Sequence, residues 1–429
     1  MHRWLQLFVL LATACRAAGT FHCEQSDQCN GGPAAGTCEP TGFCSFLDPS
    51  CPSGSRYDTY AGDGLAGGCV GDADGGIAGG FAPSHVAPGF YKPNASALTH
   101  VMTIDTSSQQ LDLGAGLQPP PTGVAFVDDG AGHAVLSVGE WMVDMDVRVT
   151  GALSLVVVAA GPVEVSHAID GSADLEVSGP GAADVGLGGP GAFDAISGYF
   201  DSGGGGGGFG GSGSDGGTAS TSGGGGTGGV VYGADESSFV GGSPGGTGGT
   251  SDTCPNGIAG KGGGGGGAIQ ISSAVSIAIT STGAIDAGGG GGRGGCNNGP
   301  NASNPATAGG GGGAGGELFI ESPTVVVMGT LTANGGGGGG GALSGGNFGG
   351  DGADASRAAS AAIGGIAGGA GEGVGGTGAF DATVAMVGGI GANAGGGGGG
   401  VGRIWLRSRG VASTGGTISP AAQLDPQLP

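Results

Sequence analysis

Short apolar runs of strand period recur along this chain, and pure glycine runs repeatedly sit beside them. Val143, Met145, Val147 and Val149 alternate with Asp144, Asp146, Arg148 and Thr150, which predicts one half-buried strand. After a turn at Gly151, Leu153, Leu155 and Val157 continue the pattern, followed by Val163 and Val165. From Ala268 the chain reads AIQISSAVSIAITSTGAIDAGGGGG, and from Glu317 it reads ELFIESPTVVVMGTLTANGGGGGGG. A degenerate unit starts at Arg403, and an earlier partial copy from Ala152 ends in the Ile-Asp-small signature also seen at Ile285-Asp286-Ala287. Three short strands in about 20 residues, repeated, predict an all-β fold, a right-handed parallel β-helix. Ile269, Ile271, Val275, Ile277, Ile279 and Ile285 are the expected inward positions of one turn, with Leu318, Ile320, Val325, Val327 and Leu331 stacked on them. Only Ala358 to Ile366 offers a helical turn.

Glycine supplies 115 of 429 residues, in pure runs such as 203–208, 262–267, 335–341 and 395–400. The runs bound insertions at about 201–267, 288–316 and 335–400. Ordering six glycines costs about 6–12 kcal/mol of backbone entropy. Rods packed side by side as polyglycine II offset this with amide hydrogen bonds, because only glycine permits so close an approach. Flexible loops are the alternative. Collagen is excluded, since no Gly-X-Y period with proline is present.

The first residues carry Arg3 and an apolar stretch from Leu5 to Ala14, too short to span a bilayer, which predicts a signal peptide over 1–18. No later apolar stretch is long enough for a transmembrane helix. Cys15 is removed with the signal or becomes a lipidated N-terminus, and only lipidation would bring membrane association. The other eight cysteines are Cys23, Cys29, Cys38, Cys44, Cys51, Cys69, Cys254 and Cys296, an even count that reads as a disulfide framework. Six of them crowd a head, 19–72, too poor in apolar residues to fold without cross-links. The head lacks a CxxC pair, which argues against zinc. Cys254 and Cys296 lie in different insertions, and their pairing would tie the two together. A linker is expected over 73–96, the β-helix over 97–420 and a tail over 421–429.

Charged residues are 10% of the chain, against about 25% in ordinary globular proteins. With 34 acids against 11 Lys and Arg, the net charge is −23, and phosphate neutralisation is unavailable, so nucleic acid is not an expected partner. Two strings, 210–215 and 349–354, match the start of a calcium β-roll repeat but have no tandem copy. Phosphate loops lack the helix they need. In 268–420 the acids (Asp286, Glu317, Glu321, Asp351, Asp354, Glu372, Asp381) and arginines (Arg293, Arg357, Arg403, Arg407, Arg409) show no two candidates at one stacked position. Asp144 and Asp146 read as solvated acids on a strand face, and His100, His133 and His167 as isolated surface histidines. No catalytic, cofactor or metal residues are assigned.

The head segments Cys38-Glu39-Pro40-Thr41-Gly42-Phe43-Cys44-Ser45-Phe46, Cys51-Pro52-Ser53-Gly54-Ser55-Arg56-Tyr57 and Ala61 to Val70 resemble a cysteine-rich segment of secreted myxobacterial proteins. AIDAGGGGG, LTANGGGGGGG and GGGGGGVGRIWLRSRG resemble the glycine-rich, PGRS-like tracts that follow such heads. The resemblance implies an exported protein, extracellular or on the outer cell surface. The expected function is structural or adhesive and non-catalytic, with cell-surface or matrix polysaccharide as a partner. A carbohydrate-binding or polysaccharide-cleaving β-helix is the alternative, and ice binding through flat rod faces a third.

Overall fold

The computed structural model describes residues 21–23, 25–30, 35–39, 42–48, 51, 55–61, 67, 70, 81–86, 90–92, 95–192, 200–220, 223–233, 238–249, 260–297, 306–409 and 413–425. The expected signal peptide, Cys15, Cys69 and Cys254 lie outside these residues. The chain divides into two compact units, 1–81 and 82–429. Among the described residues the one helix is a single 3-10 turn, Ser26–Gln28.

In the first unit, Thr37–Cys38, Cys44–Leu47 and Ser55–Tyr57 form a three-stranded antiparallel sheet. Two interleaved disulfides, Cys23–Cys38 and Cys29–Cys44, each span 15 residues. Each contributes about 3 kcal/mol by restricting the unfolded chain. The sulfurs of Cys23, Cys29 and Cys38 cluster within 4.8 Å, but all are spent in these bridges, so none is a thiolate ligand.

The second unit is built on three sheets whose interior strands are parallel, visited in rotation. The chain passes through His133–Val138, Trp141–Val143 and Val147–Thr150, then Ser154–Ala159, Val163–Val165 and Ala168–Asp170. After each glycine-rich excursion it resumes, at Ala268–Ser273, Ile277–Ile279 and Ala284–Asp286, then at Glu317–Glu321, Val325–Val327 and Thr330–Thr332, then at Arg403–Arg407. Each strand pairs in parallel with its equivalent one pass earlier: Leu155, Ile269, Leu318 and Ile404 form one row, and Ile169, Ile285 and Leu331 another. These rows are the core, and each buried Ile or Leu contributes about 1.5–3 kcal/mol. At the N-terminal end, the antiparallel strands Gln110–Asp112, Leu117–Gln118 and Ala125–Asp128 close the sheets. Gln423–Asp425, inside the expected tail, pairs with Arg403–Arg407.

Four expectations are corrected. The stretch 143–149 is two strands in different sheets, Trp141–Val143 and Val147–Thr150; Met145 sits at the corner, where Asp144 accepts from His100 N and Asp146 from Ala168 N. Val275 is 51% exposed rather than inward, because it turns the corner between Ala268–Ser273 and Ile277–Ile279. Ala358 to Ile366 is not helical: Ile363 and Ile366 accept from Ala353 and Gly350 in an extended segment. The first excursion begins at 171 rather than 201, since the preceding strand ends at Asp170.

Within the expected linker, Ser84 and His85 lie against the seven-stranded sheet. Ser84 N and Oγ both donate to Glu321, Arg407 donates to Ser84 Oγ, and His85 Nδ1 shares a 2.7 Å hydrogen bond with Gln270 Oε1. Ala268–Ser273 and Glu317–Glu321 are buried on both faces.

The excursions are ordered by backbone hydrogen bonds with a period of three. In 203–208, Gly203 and Gly206 donate to Gly217 and Ser214, Gly204 and Gly207 to Gly309 and Gly312, and Gly205 and Gly208 to Gly189 and Gly186. The run at 309–315 repeats the scheme toward Ala394, Gly397 and Gly400 on one side and toward Arg293 and Gly290 on another. Every third N–H faces the same neighbour, as an extended helix of three residues per turn requires. All six glycines of 203–208 are buried, so loose loops do not describe them.

Candidate functional site

Two features of the second unit gather functional side chains: a charged cleft and an exposed aliphatic face. The cleft, about 420 Å³, lies against the eight-stranded sheet. Parallel register stacks Arg148, Asp170, Asp286 and Thr332 on four adjacent strands. Arg357, from the third excursion, reaches over them: its Nη2 lies 2.5 Å from Asp170 Oδ2 and its Nε 3.2 Å from Asp286 Oδ2. Arg148 Nη1 is 2.9 Å from Asp170 Oδ2. Asp286 also accepts from Thr332 Oγ1 and Gly288 N, and Asp170 from Ser172 N and Oγ.

The two carboxyls differ in environment. Burial pushes Asp286 up to about 6, helped by the Asp170 charge and opposed by Thr332, Arg357 and Gly288. At Asp170 burial also acts upward, but the Ser172 hydrogen bonds and the charges of Arg148 and Arg357 outweigh it and hold the group below its ordinary value. Two guanidiniums therefore balance two carboxylates at neutral pH, and the arrangement clamps the third excursion to strands of two successive passes. Asp354 extends the clamp, accepting from Leu175 N of the first excursion and Gly291 N of the second. Arg293 does the same between Glu176 and Asp351.

Within 268–420, Glu317 faces Arg403 and Glu321 faces Arg407 in register, which corrects the expectation that no two candidates there share a stacked position; outside that range lies one member of the stacked pair Asp170–Asp286. The pair's signal was legible in the repeated Ala-Ile-Asp at 168–170 and 284–286, but Arg357 lies far off in sequence. In the two calcium-like strings, Asp215, Asp351 and Asp354 instead cap backbone N–H groups of Gly228, Gly294 and Gly291. Of the histidines, His133 lies 2.7 Å from Asp129 and His100 3.3 Å from Asp144. Cys23, Cys29, Cys38 and Cys44 pair as above, and Cys51 and Cys296 are also disulfide-bonded, their partner cysteines lying outside the described residues.

Arg357→Gln should lower stability by about 1–3 kcal/mol, because it leaves two buried or half-buried carboxyls short of a cation. The loss should be larger at pH 8 than at pH 5, where Asp286 is already protonated. Urea unfolding at the two pH values checks both statements.

The second feature is the outer face of the third excursion. Three extended segments lie side by side there: Gly375 and Gly378 donate to Gly365 and Ala362, and Met386 and Gly389 donate to Thr377 and Val374. Exposed side chains recur at a spacing of three, with Met386 also exposed beside Val387. Outward stand Ile363 (72% exposed), Ile366 (75%), Val374 (54%), Val384 (80%), Val387 (61%) and Ile390 (77%). Between these ridges a side chain has no room: a Cβ on Gly364, Gly365, Gly375, Gly376 or Gly388 would come within about 2 Å of a backbone carbonyl oxygen.

One buried carboxyl lies apart from both features. Glu317, opposite Arg403 in register, accepts from Val240 N, and burial raises it to about 8 against Val240 and the Arg403 charge. Among the described residues no helix is long and apolar enough to cross a membrane. No protein-family model, curated protein or solved structure matches the chain.

Proposed function

We propose that this chain is an exported structural or adhesive protein of the cell surface or extracellular matrix, without catalytic activity. In this reading the three sheets wind as a right-handed parallel β-helix, and the excursions pack beside it as polyglycine II rods. The rotation of strands among three sheets supports the first part, and the period-three hydrogen bonding supports the second. The disulfides fit an oxidising compartment, as the resemblance to secreted myxobacterial glycine-rich proteins implies.

The observation that carries the adhesive role is the aliphatic face of the third excursion. Soluble monomers rarely leave a large contiguous apolar patch without a binding use for it. Here six Ile and Val side chains stand on a backbone held by hydrogen bonds, so contact requires little further ordering. The full chain should adsorb to an alkyl-coated surface much more than to a hydroxyl-coated one. Ile363→Ser with Ile366→Ser should remove most of that difference, as quartz-crystal microbalance measurements would show. Equal adsorption to both surfaces would defeat the reading.

A second reading, a carbohydrate-binding or polysaccharide-cleaving protein, draws on the Asp170–Asp286 pair, in which one carboxyl is raised to about 6 and its neighbour is held below its ordinary value. Turnover of an acidic polysaccharide, abolished by Asp286→Asn, would select it over the first.

A further inference from the structure

We propose that the outer face of the seven-stranded sheet holds a site for a neutral saccharide, and that residues 82–86 of the same chain occupy it as a displaceable strap. The proposal rests on the carbohydrate-binding reading for its class of ligand and places that ligand away from the Asp170–Asp286 cleft.

Two rows of side chains lie between the core rows of this sheet. Val156, Gln270, Phe319 and Trp405 form one, and Val158, Ser272, Glu321 and Arg407 the other. Val156 and Val158 are buried, as plain apolar cover requires. From Gln270 onward the rows turn to an amide, a hydroxyl, a carboxylate, a guanidinium and two aromatic rings. Such groups fix and stack a sugar, whereas simple packing is better served by apolar residues, which carry no desolvation cost.

The strap shows what these groups take. Ser84 is held by side chains at its N, Oγ and O. Its N and Oγ donate to Glu321 Oε1 and Oε2, both at 2.7 Å. Arg407 Nη1 donates to the same Oγ at 2.8 Å, and Gln270 Nε2 donates to the Ser84 carbonyl at 2.6 Å. The N and Oγ of a serine stand on adjacent carbons, as the two oxygens of a vicinal diol do. A carboxylate that receives both, with a guanidinium donating to one, offers the partners that two neighbouring sugar hydroxyls need. His85 fills a ring position beside it, edge-on to Phe319 at 4.9 Å and stacked on Phe239 at 5.2 Å. Ser272 Oγ and Gln270 Nε2 also donate to Glu321, so the carboxylate is fixed independently of the strap.

Charge selects a neutral sugar. Arg407 lies 2.8 Å from Asp425 and 4.0 Å from Glu321, so two carboxylates outweigh the one guanidinium, and the net charge of −23 adds to the repulsion of an acidic ligand. The strap itself is built to leave. His85 stands in the left-handed region, at φ 58°, where a residue with a Cβ is held at a cost that release removes. Ser84 and His85 are half-buried, within reach of solvent, while the buried Pro83 and Val86 anchor the segment on either side.

The test is calorimetric titration of the full oxidised chain with mannohexaose, cellohexaose and maltohexaose, neutral oligosaccharides that differ in diol geometry or linkage. Ser84→Ala with His85→Ala weakens the strap and leaves the sheet as it is. At least one of the sugars should bind this variant about tenfold or more tighter than wild type, because the competing occupied state is depleted. Adding Glu321→Gln should abolish that binding, since an amide offers one acceptor oxygen in place of two; thermal unfolding confirms that both variants fold. In wild type the same sugar should speed hydrogen exchange at the Ser84 N–H, which loses Glu321 on displacement. Equal affinity in wild type and strap variant overturns the strap, and failure of all three sugars to bind the strap variant overturns the site. Binding that survives Glu321→Gln and is lost in Asp286→Asn belongs to the cleft, which overturns this site and keeps the second reading. A strap variant that takes up the peptide APSHVA and no sugar overturns the saccharide assignment. Sugar bound by the strap variant, with no turnover of an acidic polysaccharide, supports the site and removes cleavage.

Discussion

Gly396→Ala should abolish the ordered packing of the excursions, whereas Gly224→Ala should leave it intact. At residue 396 an added Cβ would lie 1.9 Å from Gly310 O, 2.3 Å from Gly310 C and 2.8 Å from Gly311 N. All three are backbone atoms, so no rotamer change relieves the clash. The 309–315 segment cannot retreat either, because it donates in turn to segments around Ala394–Gly400, Gly290–Arg293 and Ser243–Gly246. Overpacking in an adaptable core costs about 1–3 kcal/mol. Here the obstacle is backbone bound on several sides, and a loss above about 4 kcal/mol is expected, in the range reserved for the most disruptive substitutions. Gly224 has nothing within 4 Å of its Cβ position and no left-handed backbone, so alanine there should be neutral or stabilise by up to about 1 kcal/mol through the unfolded chain. Hydrogen exchange reads the contrast directly. Protection across 203–208 and 335–341 should vanish in Gly396→Ala and persist in Gly224→Ala; equal protection in both would refute the account of why these runs are glycine.

That account also explains how far the sequence could be read. Register was legible wherever side chains alternate: Ile269 over Leu318 and Ile277 over Val325 follow from aligning two repeats. Corners were not, since Val275 and Met145 continue an apolar pattern while the backbone turns out of it. A pure glycine run carries no side-chain pattern, so nothing in 203–208 names 186–189, 214–217 and 309–312 as its neighbours. The edges of the runs do carry one. Val384, Val387 and Ile390 recur at a spacing of three, as do Ser212, Asp215 and Thr218, and neither helix nor strand has that period. Searching only for periods of 2 and 3.6 passes over them. The charged cleft was half legible, because the repeated Ile-Asp predicts the stacked carboxyls, while Arg357 is brought to them by rods whose path no pattern specifies.

The pH dependence of stability should run opposite to that of a protein held by surface ion pairs, and Glu317 should account for most of it. Its carboxyl is raised from 4.5 to about 8, first by burial, with Val240 N and Arg403 opposing. The folded chain thus holds a proton on Glu317 that the unfolded chain releases near its ordinary value. Stability from this group is fully present below about 4.5 and is lost progressively as pH rises to about 8. Asp286, raised to about 6, acts in the same sense over a lower window, from 3.8 to about 6. Asp170 and Glu176 are held below their ordinary values and act the other way, losing stability only in more acid solution. The unfolding midpoint should therefore peak near pH 5 and fall toward pH 8.5, by an amount on the order of 4 kcal/mol from Glu317 alone at about 1.4 kcal/mol per tenfold change. Glu317→Gln keeps the shape of the protonated acid and can still accept from Val240 N, so it should fold. In this variant the decline above pH 6.5 should disappear, while the part below pH 6 that belongs to Asp286 remains. Removing one charge from a net of −23 barely alters the general repulsion, so a flattened upper limb points to Glu317 itself. Thermal melts of both chains in steps from pH 4.5 to 9 decide the matter: parallel curves would show that this buried carboxyl does not govern the response.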